Sequence, residues 1–205
     1  MLCFGIYCNA QNNDGSPVEK KEEPIKFVIG DDIISPVSDI YDDWDCYRIH
    51  TNVRDIPNKY DIDLSNYFHP LQGKNNELLS SFGKRNGRFH YGVDIRASLN
   101  DTVYAAFDGK VRFASYNAGG YGFIVIIRHF NGLETYYAHL SRLMVMPNQF
   151  VCSGHPIGMA GSTGRASCVH LHFETRFCGK AINPQEFIDI KDGTVINENF
   201  EYIKK

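Results

Sequence analysis

No stretch of this 205-residue chain approaches the roughly 18 to 20 consecutive apolar residues that a bilayer-spanning helix needs, so no transmembrane segment is expected. Positive charge is not in excess either. With 21 Lys and Arg against 24 Asp and Glu, a formal net charge of −3 offers no basic field to neutralise a phosphate backbone, which argues against a nucleic-acid partner. The six cysteines contain no CxxC pair, which disfavours a thiolate zinc site. There is no HExxH motif, no internal repeat and no heptad. What is present is a globular composition, 43% hydrophobic and 13% aromatic, enough for one ordinary domain with an extension before it.

The organisation changes along the chain. Residues 1–10 are uncharged and mostly apolar and end Cys8-Asn9-Ala10, with small residues at the two positions a signal peptidase inspects. They read as the end of an export signal that lacks its basic n-region, so export to the periplasm, cell envelope or extracellular space is expected. Tyr7 before Cys8 argues against a lipid-anchored cysteine. Residues 11–26 are polar and charged and read as a disordered tether. From 27 to 67 the sequence is irregular, rich in Asp and Tyr, with Pro36 and Pro57 interrupting any helix, and reads as a loop-rich extension; the wider segment 25–79 is expected from its position to shield a cleft until displaced. Residues 68–190 form the expected main domain and 191–205 a C-terminal tail.

From residue 80 onward, short β-branched and aromatic runs at 102–107, 110–114, 121–128, 133–139, 149–151, 156–160 and 169–175 alternate with turn residues. Turns fall at Asp108-Gly109, Ala118-Gly119-Gly120 and Asn131-Gly132, the last a strong hairpin signal. The expected class is all-β, an antiparallel sheet or sandwich. Once an export signal is removed, Cys46, Cys152, Cys168 and Cys178 remain, with three possible pairings. A bridge from Cys168 to Cys178 is disfavoured, because one strand separates them at roughly 3.3 Å per residue.

Three short patterns gather four of the eight histidines: His90-Tyr-Gly-Val-Asp94, Tyr137-Ala-His139-Leu140, and His170-Leu-His172-Phe-Glu174. In the last, strand periodicity sends 170, 172 and 174 to one face and Val169, Leu171 and Phe173 to the core. Their α-carbons, about 7 Å apart, suit one imidazole to a metal and the other to its water. His90 and Asp94 would stand roughly 13 Å apart on an extended strand, so the chain must bend, with Gly92 supplying the freedom. Two His and one carboxylate leave zinc an open position, the arrangement of a catalytic site.

These runs together, Ser81-Phe-Gly-Lys-Arg-Asn-Gly-Arg-Phe-His-Tyr-Gly-Val-Asp-Ile95, Val103-Tyr-Ala-Ala-Phe-Asp-Gly109, Thr135-Tyr-Tyr-Ala-His-Leu140, Ile157-Gly-Met-Ala-Gly-Ser-Thr-Gly-Arg165 and His170-Leu-His-Phe-Glu174, resemble the lysostaphin-type (LytM-like) peptidoglycan metalloendopeptidases. The resemblance covers about residues 68 to 188. It implies an antiparallel β domain with a cleft across the sheet, and one zinc ion per chain held by His90, Asp94 and His172. It also implies His139 and His170 beside the bound water as catalytic residues, and hydrolysis of peptide cross-links or bridges in peptidoglycan by a monomer. Either histidine can serve as the base, since no HExxH glutamate is available. The rival reading is a catalytically inactive LytM-like regulator that activates a cell-wall amidase. Ser167-Cys168-Val169 departs from the usual small residues before His-x-His, and His155 stands where Gln is common.

Around this set, Glu174 is a candidate to orient an imidazole. Arg88 and Arg165 are candidates for a substrate carboxylate, and Tyr137 or Tyr136 for the cleft wall. His129, at the end of an apolar strand, reads as structural. His50, His69 and His155 read as surface residues. Gly161 and Gly164 read as turn formers. The acidic group Asp42, Asp43 and Asp45 lacks the spacing of a calcium loop and reads as a solvated face.

Overall fold

The computed structural model describes residues 37, 40, 41, 44–51, 53, 55–72, 76–85 and 87–204, so the expected export signal and tether lie outside the described residues, as do Asp42 and Asp43. Among the described residues the chain is nearly all β. The strands are β1 (Lys59–Asp63), β2 (Leu78–Ser80), β3 (Gly83–Arg85), β4 (Arg88–His90), β5 (Val93–Arg96), β6 (Thr102–Tyr104), β7 (Gly109–Asn117), β8 (Gly122–His129) and β9 (Leu133–Leu140). They continue with β10 (Arg142–Leu143), β11 (Phe150–Val151), β12 (Pro156–Met159), β13 (His170–Phe177), β14 (Lys180–Ile182), β15 (Ile188–Asp189), β16 (Thr194–Val195) and β17 (Asn199–Ile203). The main sheet runs β11-β7-β8-β9-β13-β5-β2, with β14 also on β13, and every pair is antiparallel.

Alternation explains both faces of that sheet. Val111, Val125, Ile127, Leu133, Tyr137, Leu171, Phe173 and Phe177 point into the main apolar core. The other face carries a smaller apolar cluster of Ile124, Ile126, Tyr136 and Ala138, then a polar row on β13 of His170, His172, Glu174 and Arg176. Segment 191–205, read as a tail, contains β17, which pairs with β1 along its whole length. His129 is structural as expected, its Nε2 2.6 Å from Thr135 Oγ1. His69 is a correction: it is buried, with Nδ1 2.7 Å from Leu71 O and Nε2 3.2 Å from Ile190 O, because backbone carbonyls satisfy a ring that loop context alone would leave in water. Cys168 carries a free thiol, so it makes no bridge to Cys178.

Residues 45–51 lie on the second face, held by polar anchors. Glu134, fully buried between two fully buried arginines, accepts from Arg112 Nε at 2.7 Å, Arg128 Nε at 3.0 Å and Thr51 Oγ1 at 3.1 Å. Arg112 donates onward to the carbonyls of Arg48 (2.6 Å) and Ile49 (2.7 Å), and Tyr136 Oη donates to Ile49 O at 2.6 Å. Burial opposes charge on Glu134, but the two guanidiniums outweigh it and hold the carboxyl below its ordinary 4.5. Its folded pKa being depressed, the contribution is present above about pH 4.5 and fades as pH falls through the folded value. Glu134→Gln leaves two buried cations without their counter-charge and is expected to cost about 3–5 kcal/mol. Urea unfolding at pH 7 and pH 4 measures this, with the deficit of the variant smaller at the lower pH.

Candidate metal centre

His90 closes β4, the chain bends at Tyr91-Gly92, and Asp94 enters β5 directly opposite His172 on β13. Cross-strand partners share a face, so the carboxylate and imidazole meet without any side-chain detour. His172 Nδ1 lies 2.9 Å from Asp94 Oδ1, His90 Nε2 lies 3.1 Å from the same oxygen, and the two nitrogens are 3.0 Å apart. One donor atom from each of the three residues falls within 4.8 Å of the others. Gly92 matters here, for a reason other than backbone freedom. A Cβ at that position would stand 2.3 Å from Phe173 O, so glycine lets the bend press against β13.

Each ring nitrogen that faces away from the cluster is also held. His172 Nε2 is 2.9 Å from Glu174 Oε1, and Glu174 in turn accepts from Tyr121 Oη at 2.8 Å and Arg176 Nε at 2.6 Å. His90 Nδ1 is 2.8 Å from Ser81 O, a carbonyl that holds the ring whenever Nδ1 carries the proton, the tautomer that leaves Nε2 free for a metal. Arg85 reaches both His90 Nδ1 and, at 2.7 Å, Asp94 Oδ2. Burial opposes charge on Asp94, yet hydrogen bonds from His172, His90 and Arg85 outweigh it and hold the carboxyl far below the usual range. Burial likewise opposes charge on His172, and the carboxylates of Asp94 and Glu174 overcome it, lifting the imidazole to about 9.

His139 arrives in the cleft through a break in β9. Between Tyr137 and Leu140 three steps on β9 answer two on β8, a β-bulge. His139 at its centre has φ +63°, a left-handed backbone conformation. Strict alternation from Tyr137 would turn residue 139 toward the core. The bulge sends it to the cleft instead and returns Leu140 to the core. Its ring centroid is 4.8 Å from that of His170 and 5.8 Å from that of His172. His139 Nδ1 is 2.8 Å from Thr163 O and His170 Nδ1 is 3.0 Å from Cys168 O; each carbonyl can only accept, so when either ring carries a single proton it sits on Nδ1 and the lone pair is on Nε2. Burial, with Thr163 opposing and His172 and His170 adding to it, pushes His139 down to about 4.

These residues surround an open cleft of about 430 Å³, rimmed further by Phe89, Tyr91, Tyr121 and Arg165. Two residues expected near it stand elsewhere. Tyr137 is fully buried on the core side, its hydroxyl 2.8 Å from Ala106 N and from Thr135 Oγ1, because the period of two gives the cleft face to Tyr136's side of β9. Arg88 is exposed at the start of β4 and does not line the cleft, while its hairpin partner Arg85 does. Tyr121, Arg85 and Arg176 were not legible as site residues. Only Arg176 carried a signal, two residues from Glu174 on the same strand face. Among the described residues none of the extension lines the cleft.

Residues 88–184 match Peptidase family M23. The chain is 45% identical over 97 residues to DD-carboxypeptidase/endopeptidase Mpg of Neisseria meningitidis serogroup B, covering 47% of this chain and 22% of that protein. It is 35% identical over 125 residues to the murein hydrolase activator NlpD of Escherichia coli K12, covering 61% of this chain and 32% of that one. The chain thus spans only 22% to 32% of the length of these curated relatives. A zinc-containing peptidase from Vibrio cholerae superposes with a TM-score of 0.54 at 31% identity, over 57% of this chain and 39% of that one. The catalytic domain of the prophage-encoded M23 protein EnpA of Enterococcus faecalis superposes with a TM-score of 0.52 at 30% identity, over 58% of this chain and 95% of that one.

Proposed function

Because the chain belongs to peptidase family M23, we propose that it is a zinc metalloendopeptidase that hydrolyses peptide cross-links or bridges of bacterial peptidoglycan in the cell envelope. The observation that carries this reading is the meeting of His90 Nε2, Asp94 Oδ1 and His172 Nδ1 in a cleft that also holds His139 and His170. Two imidazole nitrogens and one carboxylate oxygen are the donor set of a catalytic zinc, which keeps an open position. Zinc bound there supplies Lewis acidity, polarising the scissile carbonyl and making water acidic enough to attack near neutral pH. The chain's own groups do the rest. His139 and His170 each present a lone pair on Nε2, suited to accept the attacking water's proton and pass it to the leaving amine. Once protonated, the same nitrogens donate hydrogen bonds to the developing oxyanion.

In this reading Glu174 fixes His172 with Nδ1 turned toward the metal, and Tyr121 and Arg176 fix Glu174. Glu174→Gln is expected to weaken zinc affinity about 10- to 100-fold. Competition with a chromogenic chelator measures it, and unchanged affinity removes Glu174 from the site.

The likeness to NlpD supports a second reading, a regulator that activates a cell-wall amidase. An activator has no use for an open metal position flanked by two proton carriers, which weighs toward catalysis. Purified cell walls treated with the zinc-loaded protein, with His139→Ala as control, separate the two. Released peptide fragments of defined mass support the peptidase, whereas intact walls together with stimulation of an added amidase support the regulator.

A further inference from the structure

The cleft carries more positive charge on its rim than its metal chemistry uses. Its carboxylates, Asp94 and Glu174, are buried and already engaged, the first with His90, His172 and Arg85 and the second with His172, Tyr121 and Arg176. Arg85 is thereby committed to Asp94. Arg165 is different: it is exposed on the rim, and among the described residues no carboxylate lies within ion-pair reach of it. In a chain of net charge −3, an uncompensated guanidinium at the mouth of the cleft is a local feature rather than a bulk one.

Arg165 is also held. Its backbone N–H donates to Gly120 O at 2.8 Å, and its stem lies against Gly120, where a Cβ would meet Arg165 Cδ at 3.3 Å. The neighbouring Gly164 fits only as glycine, since a Cβ there would stand 2.3 Å from Gly120 O, and its φ is +74°. The same short loop supplies the carbonyl of Thr163 that fixes His139. The backbone and stem of Arg165 are therefore held by the loop that positions a proposed proton carrier, and its exposed planar fork matches a carboxylate bidentately.

Resting on the peptidase reading above, we propose that Arg165 is a specificity-determining residue that binds a free carboxylate of the wall peptide close to the scissile amide. The cleft then favours acidic peptide stems over neutral ones. The carboxylate has two possible sources, a side chain or the terminal α-carboxyl, and amidating one at a time tells them apart.

The experiment uses the full chain loaded with zinc and three purified cross-linked peptide fragments: unmodified, side-chain amidated and C-terminally amidated. Wild type is expected to process one amidated fragment roughly tenfold less efficiently than the unmodified one, through KM rather than kcat. Arg165→Gln is expected to bring that ratio near one, and Arg165→Lys to keep part of it. A wild-type ratio near one for both amidated fragments, or an undiminished ratio in Arg165→Gln, overturns the proposal. Calorimetric binding of the same fragments is read in parallel. If no fragment is cut, the peptidase reading fails, while the binding ratios still decide the role of Arg165.

Discussion

Asp94→Ala is expected to lose stoichiometric zinc uptake and to bring hydrolysis of wall peptides to background, a fall of more than about 10³-fold. The size follows from position. Asp94 stands between both imidazoles, with Oδ1 within 3.1 Å of each, and its other oxygen takes the Arg85 guanidinium. Without the carboxylate the remaining donors are two neutral nitrogens beside an unneutralised arginine, a poor seat for a dication. Elemental analysis after dialysis against zinc measures uptake, and circular dichroism checks that the sheet survives. Zinc bound one per chain by a folded Asp94→Ala variant would sink the ligand assignment.

How much of this was legible in the sequence depended on whether the relevant geometry is local. Along β13 the alternation of His170, Leu171, His172, Phe173 and Glu174 could be read directly, since a regular strand assigns faces by parity, and the polar row and apolar row fall as parity requires. The bend between His90 and Asp94 was legible, but its cause was not. Gly92 is there because Phe173 O, eighty-one positions away in sequence, leaves no space for a Cβ. Tyr137 was misplaced because the expectation gave the cleft to one of two adjacent tyrosines without a way to choose the parity. Arg85 and Tyr121 were missed because nothing in their neighbourhoods marks them. Their roles exist only once hairpin β3–β4 and the start of β8 are brought to β5 and β13. The buried Arg112–Glu134–Arg128 group was equally silent, because Arg112 sits at a β-bulge of β7 and Arg128 opposite Glu134, and neither the bulge nor the register β7-β8-β9 is marked in the sequence.

His139 is where strand parity, read alone, gives the wrong answer. Counting by twos from Tyr137 places it in the core, and only the bulge at φ +63° places it opposite His170. A left-handed backbone is unfavourable for most side chains by about 1–2 kcal/mol, while Asn and His tolerate it better, which decides how the residue should be tested. His139→Ala removes the imidazole but also strains the bulge, so a loss of rate would mix two causes. His139→Asn keeps a residue suited to that conformation and removes the proton-carrying ring. Both variants are expected to bind zinc one per chain and to lose about 10²- to 10⁴-fold in kcat on cell-wall fragments, the range for removing a general acid–base. The direction is set by the ring's protonation: with its pKa pushed to about 4, His139 is neutral at pH 7 and offers Nε2 to a proton. Its bond to Thr163 O keeps that nitrogen the acceptor. A zinc-loaded His139→Asn enzyme within tenfold of wild type would pass the base role to His170 alone and leave the bulge as a structural feature of β9.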